Sequence, residues 1–361
     1  MPRKPGRQKR AKAFPYIAIA ILMAVIIIIL GRSNEPLPLP EIPHNVSPIL
    51  PGPEPVGEGC GFLKAYIINV SQADGILIIT PKNRTLLIDT GSAMKPNSSS
   101  NLVAFLKEKG IHDIDALLIT HYHEDHIGGM KQVTQEFGIG KMYHNGNCGN
   151  YSSRIQEFTQ EFAMNSSAIV VKHDMDLELD DCISARMVVA YDRPQGCWDS
   201  SSQGSNENDN SILLRILYGN TSMLFSGDCE GPCEGVVVAQ EDDIHADFLK
   251  AGHHGSATSS TPGFLAAVGA GYYAISTDRN RSVTDGYYHP RQIPLGNIFE
   301  VGGAGKTYRT DLNGLITVLS DGAELTIMTE AASDLCSTFS GYNSTNISTY
   351  KPISQISGTC G

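Results

Sequence analysis

Short apolar runs closed by Gly, Pro, Asn or Asp recur through the middle of the chain. Each predicts a strand: residues 65–70, 76–80, 85–88, 114–119, 211–218, 221–226, 247–252, 272–276, 315–319 and 324–327. The first three fold back on one another across polar turns, an antiparallel start. A helical stretch is expected around 101–109, and Ser260-Thr261-Pro262 opens another helix with Pro262 in its first turn. This mixture reads as an α/β fold. One connection also sets a register: Gly219-Asn220 makes a two-residue hairpin, so Tyr218 pairs with Thr221, Ser211 lies opposite Asp228 and Asn210 opposite Cys229. Asn210, Ser211 and Asp228 then share one edge of a sheet.

The N-terminal region breaks the pattern. Residues 1–12 hold six basic side chains (Arg3, Lys4, Arg7, Lys9, Arg10, Lys12) and no acid, and residues 13–30 hold no charge at all. Together they read as a basic cytoplasmic tail and an uncleaved transmembrane signal anchor, which leaves the remainder outside the cell membrane; a cleaved secretory signal is the competing reading. Residues 31–59 contain eight prolines and read as a Pro-rich stalk that lifts a domain at 60–330 off the bilayer. The Ser/Thr-rich tail, 331–361, carries no legible chemistry.

Composition sharpens this division. Removing the six basic residues of the tail from the formal net charge of −11 leaves −17 on the rest. An acidic body argues against tight, non-specific binding of long nucleic acid, so a phosphate-bearing substrate would have to be held mainly by metal. Eight cysteines form an even set without a paired Cys-x-x-Cys pattern, and disulfides are the natural reading outside the cell. Cys229 with Cys233, and Cys336 with Cys360, are the pairs that proximity in sequence suggests. Asn-x-Ser/Thr acceptors at Asn45, Asn69, Asn83, Asn97, Asn150, Asn165, Asn220, Asn280, Asn343 and Asn346 point the same way.

The chemistry concentrates directly after the 114–119 run, in Thr120-His121-Tyr122-His123-Glu124-Asp125-His126-Ile127-Gly128-Gly129. Alternation along a strand sends His121 and His123 to one side, while Asp125 and His126 fall where the chain turns toward a helix. Two half-sites result. Imidazole and carboxylate ligands suit zinc, with manganese or iron also accommodated. With 11 His in 361 residues, this spacing at a strand end separates the stretch from a loop that is merely polar. Asp89 also ends a strand; it either caps a turn before Gly91 or orients a metal ligand on a neighbouring strand. His289 taken alone reads as an ordinary loop histidine.

Together, His121-x-His123-x-Asp125-His126, Asp228 behind Ser226-Gly227, and His253-His254-Gly255-Ser256 resemble the metallo-β-lactamase superfamily. Within it, the chain is similar to the hydrolase domain of DNA-uptake competence proteins of the ComEC family. The likeness runs roughly from 63 to 327 and includes Gln72 and Asp74, Leu87-Ile88-Asp89-Thr90-Gly91, Asn210-Ser211, His289-Pro290 and Tyr308-Arg309-Thr310-Asp311 with Gly314. It implies an αββα sandwich with a metal site on one edge and activity of the phosphodiesterase or nuclease kind. Two departures stand out. Asn69-Val70-Ser71-Gln72-Ala73-Asp74 replaces the family's Asp-Val-Gly-Gln-Gly-Asp. The histidine that many members place between the cluster and the bridging aspartate also lacks a counterpart, since His144 and His173 fall off the expected edge and Asn210 lies on it.

The expected site therefore holds two divalent ions. His121, His123 and Asp228 face one, and Asp125, His126, Asp228 and His253 face the other. His254 and His289 contact a phosphate or protonate the leaving group, and Asn210 and Ser211 donate hydrogen bonds to it. The partner is a phosphoester or another small hydrolysable compound, with nucleic acid left open. Hydrolysis of a carbonyl ester, lactone or amide by the same metals is the alternative, and a non-catalytic surface binding protein is a third reading.

Overall fold

The computed structural model describes residues 59–95, 97–146, 168–191, 207–240, 243–278, 289–302 and 306–332. The expected basic tail, membrane span and most of the stalk and C-terminal tail lie outside these residues, as do Cys148, Cys197, Cys336 and Cys360 and the acceptors Asn45, Asn150, Asn165, Asn280, Asn343 and Asn346. Among the described residues no helix is long and apolar enough to cross a membrane.

The apolar runs become strands β1 (Leu63–Ile67), β2 (Ile76–Ile79), β3 (Thr85–Ile88), β4 (Asp113–Ile119), β5 (Gly138–His144), β6 (Ala168–Val170), β7 (Met175–Asp176), β8 (Ser184–Val189), β9 (Ile212–Tyr218), β10 (Thr221–Phe225), β11 (Phe248–Lys250), β12 (Tyr272–Ile275), β13 (Thr307–Arg309), β14 (Ile316–Ser320) and β15 (Leu325–Thr329). Helices are α1 (Ser98–Glu108), α2 (Glu124–Ile127), α3 (Met130–Glu136), α4 (Gly231–Ala239), α5 (Pro262–Val268), α6 (Gln292–Gly302) and α7 (Thr310–Asn313). One sheet has the order β15-β14-β1-β2-β3-β4-β5-β6, the other β13-β12-β11-β10-β9-β8-β7.

Three apolar clusters explain the layering. Ile67, Ile78, Ile88 and Leu118 of the first sheet meet Leu214, Ile216, Phe225 and Phe248 of the second in a shared core. Leu77, Leu87 and Leu117 point the opposite way, onto Leu102, Leu106 and Val133 of α1 and α3. Leu213, Leu224 and Leu249 do the same toward Val237, Phe264, Leu265 and Ile298 of α4, α5 and α6. Strands covered on both faces must be apolar at successive positions, which is why Ile76-Leu77-Ile78 and Ile212-Leu213-Leu214 read as unbroken runs. The result is helix on sheet on sheet on helix.

The hairpin register holds, with Tyr218 opposite Thr221. The first strand is shifted from expectation: it ends at Ile67, because the Ile68 amide already donates across the turn to the Gly75 carbonyl and Ser71 adopts a left-handed conformation. β5 to β8 and β13 have no counterpart among the expected strands. β5 opens Gly-Ile-Gly, and an added Cβ at Gly140 would lie 2.6 Å from the Asp115 carbonyl oxygen, so close packing with β4 selects glycine where a strand signal would need a side chain.

Cys229–Cys233 forms as its spacing suggested, and Cys60–Cys182, 122 residues apart, ties the entry to β1 to the turn before β8. Within the described residues the acceptors Asn69, Asn83, Asn97 and Asn220 are all exposed.

Two glycines give opposite expectations. A Cβ on Gly129 would sit 1.9 Å from the Thr90 carbonyl oxygen, whereas one on Gly235, in α4, meets nothing within 4 Å. Gly129→Ala is expected to destabilise by about 1–3 kcal/mol through overpacking, and Gly235→Ala to stabilise by about 0.5–1 kcal/mol. Denaturant unfolding midpoints check both signs.

Candidate metal centre

Asp89, the 121–126 cluster, Asp228 and His253-His254 each leave the C-terminal end of a strand that has a parallel neighbour. Asp89 follows β3 and the histidine cluster follows β4, which run parallel; Asp228 follows β10 and His253-His254 follow β11, parallel as well. Crevices outside the carboxyl ends of such strands are where ligands gather in α/β sheets. A backbone bond from the Ile212 amide to the Thr120 carbonyl joins the two sheets beside this crevice.

Four imidazoles converge on one atom. Asp228 Oδ2 lies 3.2 Å from His126 Nε2, 3.7 Å from His254 Nε2, 3.8 Å from His121 Nε2 and 3.8 Å from His253 Nε2. Asp125 adds a second carboxylate, with Oδ2 3.5 Å from His254 Nε2 and Oδ1 3.9 Å from His126 Nε2. His123 stands at the half-buried side, its Nδ1 3.1 Å from His121 Nε2. Burial opposes ionisation of Asp228, but the rings of His126, His254 and His253 hold its carboxyl well below the usual range.

The backbone is bent to achieve this. Asp89, His253 and His254 all have positive φ, 58°, 48° and 53°, a conformation costing on the order of 1 kcal/mol or more for a residue with a side chain. The turn at His253–Gly255 decides which of the consecutive histidines goes where. His254, fully buried, faces Asp125 and His126, while its Nδ1 donates to the Ser276 carbonyl at 3.1 Å. His253, expected in that place, lies on the open side with Nδ1 2.7 Å from Glu230 Oε1.

Other side chains hold the ligands. Asp89 Oδ2 accepts from His126 Nδ1 at 2.7 Å and from the Thr120 hydroxyl at 2.7 Å; of the two roles open for Asp89, these bonds match contact with a histidine beyond the neighbouring strand rather than a cap on its own turn. Ser211 Oγ accepts from the Asp228 amide at 3.0 Å, and Asn210 Nδ2 donates to Glu207 Oε2 at 3.2 Å. Both are buried; Asn210 donates within the protein, and Ser211 is engaged there as an acceptor. His289 is buried with its ring centroid 5.4 Å from that of His253. Burial, with His254 and His253 beside it, pushes its imidazole down to about 3, so it is neutral at physiological pH.

Sequence reasoning passed over Glu230, read only as a spacer between cysteines, and Lys250, read only as a strand residue. Glu207, which accepts from the Tyr122 amide at 3.0 Å, was also missed. For Lys250 the one local signal is a charged residue inside an apolar run; Glu207 and Glu230 stand in polar stretches that give none.

The donor set fits metal. His126 Nε2, His254 Nε2, Asp228 Oδ1 and Asp74 Oδ1 are buried without a hydrogen-bond partner. His121, His126 and Asp228 form one group able to hold an ion, and Asp125, His126 and His254 another. Buried polar atoms are rarely left unpaired, and nitrogen and oxygen donors without thiolate suit zinc, manganese or iron.

Residues 69–185, about a third of the chain, match the family model of the metallo-beta-lactamase superfamily. It is 27% identical over 266 residues to ComE operon protein 3 of Bacillus subtilis (69% of this chain, 32% of that protein) and 27% identical over 266 residues to competence protein ComA of Neisseria gonorrhoeae (73% and 33%). The chain thus spans about a third of the length of these curated relatives. Among solved structures, CmlA, a diiron beta-hydroxylase from Streptomyces venezuelae, aligns with a TM-score of 0.42 at 12% identity, covering 71% of this chain and 54% of that one.

Asp89→Ala removes the partner of His126 Nδ1 without touching a ligand atom. It is expected to weaken metal affinity about 10–100-fold, read by competition with a chromophoric chelator; an unchanged affinity would contradict the orienting role.

Proposed function

We propose that this protein is a membrane-anchored, outward-facing phosphodiesterase with a dinuclear metal site. The observation that carries the reading is the convergence of His121, His126, His253 and His254 on Asp228 Oδ2, with Asp125 opposite. A carboxylate so surrounded is suited to bridging two ions. In this assignment His121, His123 and Asp228 hold one, and Asp125, His126, Asp228 and His254 the other. Two bound divalent ions, zinc by preference, would supply an acidified water for in-line attack and stabilise charge on the phosphoryl oxygens.

The chain's own residues do the rest. Asp89 holds His126 by Nδ1 and the Ser276 carbonyl holds His254 by Nδ1, which turns both Nε2 atoms into the site. Glu230 likewise grips His253 by Nδ1, leaving Nε2 toward Asp228 and the open side, where it can pass a proton to a leaving oxygen. His289, neutral beside it, offers a hydrogen bond to a phosphate oxygen. The acidic body favours small diesters or short nucleic acid over long duplexes.

Placement outside the membrane draws on the basic 1–12 and apolar 13–30 segments, two disulfides among the described residues, and the exposure of the four described glycosylation acceptors. The resemblance of the motifs from Gln72 to Gly314 to the ComEC hydrolase domain is what favours a phosphodiester substrate. A chromogenic phosphodiester and a chromogenic lactone, each with and without chelator, test the reaction class. Chelator-sensitive cleavage of the diester is expected, with Asp228→Asn losing more than the roughly 10–100-fold typical of a supporting partner; cleavage of the lactone alone would replace this reading with carbonyl hydrolysis.

A further inference from the structure

Lys250 is a lysine with no exposed surface, at the last position of β11. Its Nζ donates to Asp74 Oδ2 at 2.8 Å and to the Ala251 carbonyl at 3.1 Å. Asp74 is equally buried and comes from the other sheet, in the turn between β1 and β2. A buried ion pair is weak evidence for stability, because well-packed neutral residues of similar volume usually do as well. Its position is more informative than its charge.

Each partner is bonded to a segment that carries metal-site residues. The Asp74 amide donates to the Asp125 carbonyl at 3.1 Å, and the Asp74 carbonyl accepts from the Gly91 amide at 2.7 Å, two residues beyond Asp89. On the other sheet the Lys250 carbonyl accepts from Ser226 Oγ at 2.8 Å, two residues before Asp228, and the chain runs on from Lys250 through Gly252 to His253 and His254. Asp74 Oδ1, without a hydrogen-bond partner, lies 3.9 Å from His254 Nδ1. Asp74 also groups with Asp228 and His254 closely enough to hold an ion itself, but the Lys250 ammonium occupies Oδ2.

We propose that Asp74 and Lys250 are positioning residues, a charged strut beneath the metal centre that fixes the distance between the Asp125 side and the Asp228/His254 side. The ammonium also serves as an internal counter-cation, keeping Asp74 from drawing an ion out of the pair above it. This inference rests on the dinuclear reading of the site but not on the substrate assigned to it.

The test uses the full-length chain with Zn²⁺ alone, stepwise affinities being read against a chromophoric chelator and folding by thermal unfolding. The key variant is the neutral pair Asp74→Asn with Lys250→Met, beside each single change. The double variant is expected to unfold cooperatively near the parent, yet to bind at least one of the two Zn²⁺ ions about tenfold or more weakly, as loss of a supporting partner does. Parental affinity for both ions in the double variant overturns the strut, and so does failure of all three variants to fold, which would make the pair a fold requirement only. A parent that holds two zinc ions but cleaves no phosphodiester ends the functional reading and leaves the strut standing. A double variant with parental zinc affinity does the reverse.

Discussion

Four imidazoles within 3.8 Å of a single buried carboxylate oxygen form an arrangement that a protein does not assemble without a counterweight. Desolvation penalises every charge in the cluster, and several donor atoms there have no partner at all. Cations bound between Asp125 and Asp228 would resolve both problems at once, satisfying the orphaned nitrogens and balancing these two carboxylates, while Asp74 is met by Lys250 and Asp89 by His126. Most of what is unusual in the structure follows from bringing those groups together.

The sandwich supplies the means. Parallel strands from two sheets end at one rim, so residues more than a hundred positions apart in sequence meet there without long loops. The shared core of Ile88, Leu118, Phe225 and Phe248 sits behind that rim and fixes the sheets relative to each other. Left-handed backbone at Asp89, His253 and His254 is tolerated because each is held by other bonds, such as the Asp89 amide to the Leu118 carbonyl and the His253 amide to the Gly227 carbonyl. Orientation therefore comes from a shell of partners, Asp89, Glu230, Ser211 and Ser276, as much as from the ligands.

Much of this was legible in the sequence, for identifiable reasons. The His121 to His126 cluster and the 211–226 hairpin are local, so spacing and turn chemistry revealed them; the register that put Ser211 beside Asp228 followed from two turn residues. What failed was non-local or conformational. The choice between His253 and His254 depends on two consecutive left-handed residues, which no periodicity encodes. Asn210 and Ser211 lie on the expected edge, and their bonds to Glu207 and from the Asp228 amide are a matter of rotamer and neighbour that spacing does not encode. Lys250 reads as one more residue of the 247–252 strand because its partner lies 176 residues away. Cys60–Cys182 was hidden for the same reason.

The central claim is that Asp228 bridges two ions. Anomalous diffraction from crystals grown with zinc tests it most directly. The account predicts two peaks about 3.5–4 Å apart, one on each side of the Asp228 carboxylate, with His121 and His123 nearer one and Asp125, His126 and His254 nearer the other. A single peak remote from Asp228, or none at this rim, would contradict it.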